Sequence, residues 1–327
     1  MQNTQESVPK TSILSEKLFL GIKWLIFGII LWILFQTFQY KSQSISSLII
    51  VLKKVIIWKN IVPVILLTFL VLVNWGFEAK KWQILVHKIE SLSFTEAYRS
   101  ILVGLSLGFI TPANIGDYAG RMWQLKSDKK TESISANLLG NGIQFYVSLL
   151  FGAMSYVIIW QKELTIIDQI IFSGVIFCLF LGIIMYRQRM KLVEFLLKYA
   201  WIKPYRNHLN VLVSFDLEAI RQVFGWSILR YLTFSLQFVI VFQIFAVNMN
   251  WIDLWAVSCL IFLFKTIIPA VNFMGDLGIR EYAALHFFGL FSVNILAIIT
   301  ATFFLWFINI LIPVLVGSFL VLRLKNK

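Results

Sequence analysis

Leu107-Gly108-Phe109-Ile110-Thr111-Pro112-Ala113-Asn114-Ile115-Gly116-Asp117-Tyr118-Ala119-Gly120-Arg121 begins as an apolar run and ends among charges. Proline removes a backbone donor and glycine loosens a helix, so the backbone here is expected to be irregular. Irregular backbone at membrane depth persists only where it is buried in protein or lines a cavity. Asp117 and Arg121 in that setting are functional candidates, because ionisable side chains among lipid tails are rare and tied to pathways and relays.

The rest of the chain is composed for lipid. Of its 327 residues, 59% are hydrophobic, 16% aromatic and only 14% charged, and the mean hydropathy is +0.81. Soluble domains are about 45–50% apolar and about 25% charged. Apolar runs of spanning length recur throughout. The expected fold class is therefore an all-α polytopic integral membrane protein with about eight transmembrane helices. Gly/Pro-broken or re-entrant segments are expected near 110–121 and 269–281, with an internal repeat suggested by their likeness. A polar N-terminal segment, 1–17, precedes a single transmembrane domain, 18–322, and a basic tail, 323–327, ends the chain.

Spans are expected over residues 18–38, 61–77, 134–160, 167–186, 224–247 and 251–268. A shorter apolar segment, 97–112, leads into the opening motif, and 282–322 is long enough for two crossings or for a half-crossing and one full span. The first apolar segment lacks a small-residue cleavage site, so it reads as an uncleaved helix. Net charge is +13. The basic residues sit mostly in short loops, which suits anionic headgroups and topology, and nothing resembles a nucleic-acid module. The stretch Arg187–Arg221 mixes basic residues with Leu192, Phe195, Leu196 and Leu197, as an interfacial helix or a solvated connection would.

No cofactor or metal site is expected. Cys178 and Cys259 lie in apolar runs and read as buried small hydrophobes, and His87, His208 and His286 are isolated with no His-Glu-x-x-His pattern. Other polar residues carry two readings each. Glu78 and Lys81, in Glu78-Ala79-Lys80-Lys81-Trp82, either anchor a helix end at headgroup level or face a substrate path. Arg230 and Lys265 either snorkel to the interface or bind. Asn141 and Gln144 share a helix face, as interhelical glue or as substrate contacts.

A second charged break mirrors the first. Gly116-Asp117-x-x-x-Arg121 and Gly275-Asp276-x-x-x-Arg280 share one pattern, and each follows a Pro-Ala and an Asn, at Asn114 and Asn272. Paired interruptions of this kind mark transporter halves that meet at a midplane site. Asp and Arg four apart share a helix face and neutralise each other. Open helix ends and guanidinium groups bind anions, and a phospholipid phosphate is the anion most available at that depth. The competing reading is a pair of structural ion pairs that pin two re-entrant turns.

At these residues the chain resembles the membrane, flippase-like domain of lysylphosphatidylglycerol synthases and its free-standing relatives. Glu78-Ala79-Lys80-Lys81-Trp82 is similar to the basic-Trp ending of that family's second helix. The segment Thr111–Arg121 is similar to its Pro-x-x-x-Gly-Glu-x-x-x-Arg signature, with Asp117 in place of Glu. Gly275-Asp276-Leu277-Gly278-Ile279-Arg280-Glu281 is similar to its Gly-Gly-Leu-Gly-x-Arg-Glu signature, with Asp276 in place of Gly. The resemblance, with the sequence ending at Lys327, implies a member without the aminoacyl-transferase domain, one that translocates or binds a lipid and does not synthesise lysyl-lipid.

The leading expectation is a lipid flippase or transporter in the cytoplasmic membrane, moving a phospholipid or polyprenyl-phosphate-linked lipid without covalent chemistry. Arg121 and Arg280 are expected to hold the phosphate. Asp117, Asp276 and Glu281 would orient them or meet a cationic headgroup, and Asn114 and Asn272 would add hydrogen bonds. No Gly-x-x-x-x-Gly-Lys-[Ser/Thr] loop is present, which disfavours an ATP-driven pump. Two alternatives stand beside it. One is an intramembrane enzyme using Asp276 or Glu281 as acid or base, for which no nucleophile–base pair can be assembled. The other is a non-catalytic membrane partner that recruits a separately encoded lipid-modifying enzyme, with Arg187–Arg221 as the docking surface; a homo-oligomer is a further expected arrangement.

Overall fold

The computed structural model describes residues 53, 57–111, 114–160, 164–267, 279–291 and 294–323, and all the regular structure among them is helical. The expected first span, the polar opening 1–17 and most of the break at 269–281 lie outside the described residues. The helices are α1 (Ile61–Val86), α2 (Phe94–Phe109), α3 (Ile115–Trp123), α4 (Ser133–Ile158), α5 (Ile166–Arg187) and α6 (Arg189–Leu196). They continue as α7 (Arg206–Ser214), α8 (Leu217–Ile244), α9 (Trp251–Ile267), α10 (Ile279–Phe288), α11 (Ile295–Trp306) and α12 (Ile312–Leu322).

Five helical stretches among the described residues are long and apolar enough to cross a membrane: α1, α4, α5, α8 and the continuous run through α11 and α12. The count of about eight expected from the sequence is not reached by these. The helices α2 and α9, at 16 and 17 residues, fall short. Burial ranks the five. Only 17% of the most apolar window of α5 is buried against 61% of that in the final span, so α5 is peripheral and the last span central.

Local chemistry sets the boundaries. The side chain of Ser93 accepts from the Glu96 N–H while Glu96 Oε2 accepts from the Ser93 N–H, a reciprocal cap that starts α2. Thr165 and Asp168 do the same for α5. The opening motif folds as a helical hairpin. Thr111 Oγ1 donates to the Leu107 carbonyl at the end of α2 and accepts from the Gly116 N–H in the first turn of α3, at 2.7 Å. Asn114 precedes α3 with φ 54°, in the left-handed region where Asn is among the better-tolerated residues. At 1.5 Å per residue the arms are about 24 and about 14 Å long, so neither alone spans a hydrocarbon core of about 30 Å.

Glycine lets the arms of the hairpin touch. A Cβ built on Gly120 would sit 2.6 Å from the Gly104 Cα, so α2 and α3 meet backbone to backbone. The opposite side of α2 is as close to α12, where Gly317 faces the Leu102 carbonyl and Ser106 Oγ donates to the Val314 carbonyl at 2.7 Å. Small residues at helix crossings are how bundles gain packing contact in lipid, where no hydrophobic force draws the helices together. Aromatic side chains fill the wider gaps: Phe262 meets Phe234 and Phe238 at 4.6 Å, and Phe151 stacks on Tyr231 at 4.6 Å.

The final span carries one irregular turn. Pro313 has no N–H, so the carbonyl of Asn309, four residues earlier, lacks its α-helical donor. Residues Phe307–Leu311 form a π-helical turn there, and Trp75 Nε1 on α1 donates to the orphaned Asn309 carbonyl at 3.2 Å. Between α5 and α8, the short helices α6 and α7 and the link joining them expose Phe195, Trp201 and Tyr205 among basic residues, a composition suited to headgroup level. Cys259 is buried as expected, whereas Cys178 is exposed on peripheral α5.

Gly120→Ala is expected to destabilise the hairpin by about 1–3 kcal/mol through overpacking. Gly225→Ala on α8, where a Cβ meets nothing within 4 Å, is expected to be neutral or to stabilise by up to about 1 kcal/mol through helix propensity. Thermal unfolding of both variants in detergent measures the difference.

Candidate functional site

The helix α1 does not stop at the expected membrane boundary. It runs on to Val86, and Asn74, Trp75, Glu78, Lys81 and Trp82 recur at three- and four-residue spacing on its buried face. The headgroup-anchor reading of Glu78-Ala79-Lys80-Lys81-Trp82 is therefore corrected for all but Lys80. Lys81 and Trp82 are each 1% exposed and Glu78 4%. A carboxylate and an ammonium withdrawn this far need partners, and the neighbouring helices supply them.

Glu78 is the centre. Its Oε2 accepts from Lys81 Nζ at 2.9 Å and its Oε1 from Arg121 Nη1 of α3 at 3.0 Å, and Arg230 Nε of α8 lies 3.4 Å from Oε2. Arg121 Nε also donates to Asp117 Oδ1 at 2.9 Å, one helical turn earlier, and Asp117 Oδ2 accepts from Asn137 Nδ2 of α4 at 3.1 Å. Lys81 Nζ donates to Gln144 Oε1 at 2.9 Å, and Gln144 Nε2 donates to the Ser227 carbonyl of α8 at 3.3 Å. Two indoles back the guanidinium groups, Trp82 with Arg121 at 5.7 Å and Trp75 with Arg230 at 5.4 Å. Gln144 thus serves both as helix glue and as the partner of a buried ammonium.

A cavity of about 410 Å³ opens beside this network, between α1, the α2–α3 hairpin, α4, α8, α9 and the π turn. Asn114, Asp117 and Arg121 of the first break line it, as do Glu78, Arg230 and Lys265. Lys81 stands behind Glu78 and does not reach the wall. Arg230 does not snorkel outward. With its side chain 23% exposed, against 8% for Arg121, it is the more accessible of the two guanidinium groups. Among the described residues, three basic side chains line the cavity beside two acidic ones, and Lys81 adds a fourth cation next to Glu78.

Of the second break, Arg280 does not join this wall. Arg280 is buried, 1% exposed, but is not among the lining residues, so the expected pairing of Arg121 with Arg280 across one cavity is replaced by Arg121 with Arg230 and Lys265. Asn272, Asp276 and the side chain of Glu281 lie outside the described residues. Among the lining residues that carried no expectation are the amides Asn74 and Asn309. Their signal in the sequence was an amide set alone in an apolar run, in Val71–Val73 followed by Asn74 and in Ile308-Asn309-Ile310.

Spanning helices around a charged cavity define a multi-pass helical membrane protein. A family model described as the lysylphosphatidylglycerol synthase TM region matches residues 21–317, and the chain belongs to that family. Membership connects it with membrane lipids. Comparison with curated proteins and with solved structures gives no match.

Glu78→Gln is expected to lower stability by about 3–5 kcal/mol, because it strands buried cations without their shared carboxylate. Lys81→Met in the same chain is expected to recover part of that loss. A thermal-unfolding cycle of the two single variants and the double variant measures the coupling, and strictly additive losses would contradict a shared network.

Proposed function

We propose that this protein moves a phosphate-bearing membrane lipid between the leaflets of the cytoplasmic membrane by non-covalent binding, with the headgroup held in the cavity beside Glu78. The carrying observation is the gathering of Arg121, Arg230 and Lys265 on that wall among the described residues, with Arg230 approaching Glu78 at 3.4 Å and lying over the Trp75 ring. Arg230 and Lys265 are the phosphate ligands in this reading. Arg121 is held on both sides by Asp117 and Glu78, and positions the site more than it reaches into it. Ligand pockets range over about 300–1,000 Å³, so a cavity of this size takes a headgroup and leaves the acyl chains in the bilayer. The broken α2–α3 hairpin and the π turn of the final span, both on the cavity wall, are the elements that would shift to open it to one side and then the other.

The test is reconstitution in proteoliposomes with leaflet-resolved fluorescent lipids. Wild type is expected to redistribute an anionic phospholipid without altering it. Arg230→Gln is expected to slow that movement by about ten- to a hundredfold, the worth of a charged hydrogen bond of about 1.5–3 kcal/mol, with little change in unfolding temperature. Chemical change in the lipid would replace this reading with an enzymatic one. Static lipids and an inert Arg230→Gln would remove it.

A further inference from the structure

A groove of about 770 Å³ lies on the outside of the bundle between α1 and α2, with Trp226 of α8 beside it. It shares no described residue with the cavity. Asn74, Trp75 and Glu78 line the cavity, whereas Leu72, Gly76 and Lys80 line the groove from the opposite face of α1. The groove is mostly apolar and carries two cations, Lys80 on its α1 wall and Arg99 on its α2 wall. Neither meets a carboxylate among the described residues. Lys80 Nζ donates to Gln83 Oε1 at 3.0 Å and sits 5.4 Å from the centre of the Phe94 ring, so neutral groups hold its ammonium. The carboxylates on the same two helices are engaged elsewhere, Glu78 at the cavity and Glu96 in the cap on Ser93. Gly76 sets the depth of the groove. A Cβ there would come no closer than 3.8 Å to Phe94 and 4.0 Å to Tyr98, which is ordinary contact, so packing does not demand glycine. Glycine weakens a helix interior relative to alanine, and what it provides here is space open to lipid.

We infer that this groove binds an anionic phospholipid of the surrounding leaflet, one that stays in place and is not carried through the cavity. The phosphate lies between Lys80 and Arg99. One acyl chain lies along Gly76, against Leu72 and the Phe77–Trp226 pair, whose rings are 5.5 Å apart. Charge selects this occupant. A groove facing hydrocarbon takes acyl chains, and two cations without a carboxylate partner call for a phosphate, as basic pockets between spanning helices do. Snorkelling alone would send each cation to the headgroups separately and gives no reason for both to line one groove. The two walls are already joined where the Tyr98 hydroxyl donates to the Leu72 carbonyl at 3.4 Å. A lipid bridging the same helices adds a second joint and fixes the α2–α3 hairpin against α1. The site stands whether or not the cavity moves lipid.

The experiment gives the full-length protein two lipids with the same chains, dioleoylphosphatidic acid, whose headgroup is the bare phosphate, and dioleoylphosphatidylcholine. Retention is read by native mass spectrometry from detergent. Wild type is expected to hold phosphatidic acid about tenfold more tightly, the worth of one charged hydrogen bond. Arg99→Gln, at an exposed position, and Lys80→Gln are each expected to lose most of that preference. Gly76→Leu fills the groove and is expected to lower retention of both lipids, with Gly76→Ala close to wild type. The preference is expected to persist in Arg230→Gln, which alters the cavity alone. A phosphatidic acid with a diazirine in one acyl chain is expected to label residues 72–77 and the peptide that holds Trp226. Equal retention of the two lipids, an unchanged preference in Arg99→Gln, its abolition by Arg230→Gln, or labels confined to other peptides would overturn the site. So would a dimer that Gly76→Leu breaks, since a second copy of the chain would then fill the groove.

Discussion

A single carboxylate organises the interior of this protein. Glu78 meets Lys81, Arg121 and Arg230, and the helices that bring those cations together, α1, α3 and α8, are distant in sequence. Moving any of these charges away from water is unfavourable by several kcal/mol, and the attraction among them recovers that only when the geometry is close. The short distances to Lys81 and Arg121 meet the condition. Asp117 and the amides of Asn137 and Gln144 complete it from α3 and α4. The same network gathers cations at the cavity wall, so one constraint holds the helices together and prepares a place for an anion.

Close backbone approach sets where those charges sit. Gly104 leaves room for the Asp117 carboxylate, and Gly120 lets α3 lie against α2, which brings Arg121 within reach of α1. A larger residue at either glycine would lift the short helix away and stretch the bond to Glu78. At the opposite wall Pro313 breaks the final span, and the Trp75 indole repairs the break while supporting Arg230. Both irregular segments face the cavity, as they must where lipid offers no hydrogen bonds. As a member of the lysylphosphatidylglycerol synthase transmembrane family, the chain combines a rigid charged centre with two segments of weaker helical bonding beside it.

Much of this was legible in the amino-acid order. Apolar length located α4, α5 and α9 closely and α8 without its first seven residues, because a helix in lipid must satisfy its own backbone and shows it as an unbroken run. The Gly-Asp-x-x-x-Arg spacing placed Asp117 and Arg121 on one face, and their 2.9 Å bond is the local consequence of that spacing. Glu78, Lys81, Arg230 and Lys265 stood out as charges near apolar runs. Whether each faced protein or headgroups was not legible, since a cation near a helix end snorkels or turns inward according to what its neighbours offer. The likeness of the two breaks suggested one shared cavity, yet Arg280 is buried away from the wall that Arg121 lines.

Composition and periodicity were enough for the helical membrane class, the position of most spans and the charged hairpin, because those follow from lipid's intolerance of unpaired polar groups along a continuous stretch of chain. The choice of Glu78 as hub, the substitution of Arg230 and Lys265 for Arg280 at the cavity, and the placing of the buried amides of Asn74 and Asn309 along its wall came only with the packed helices. Each depends on a pairing between side chains tens to hundreds of positions apart, such as the 234 residues between Trp75 and the carbonyl it caps. Pairings at that separation leave no periodic trace in one sequence, and three-dimensional contact alone selects among the partners that charge would allow.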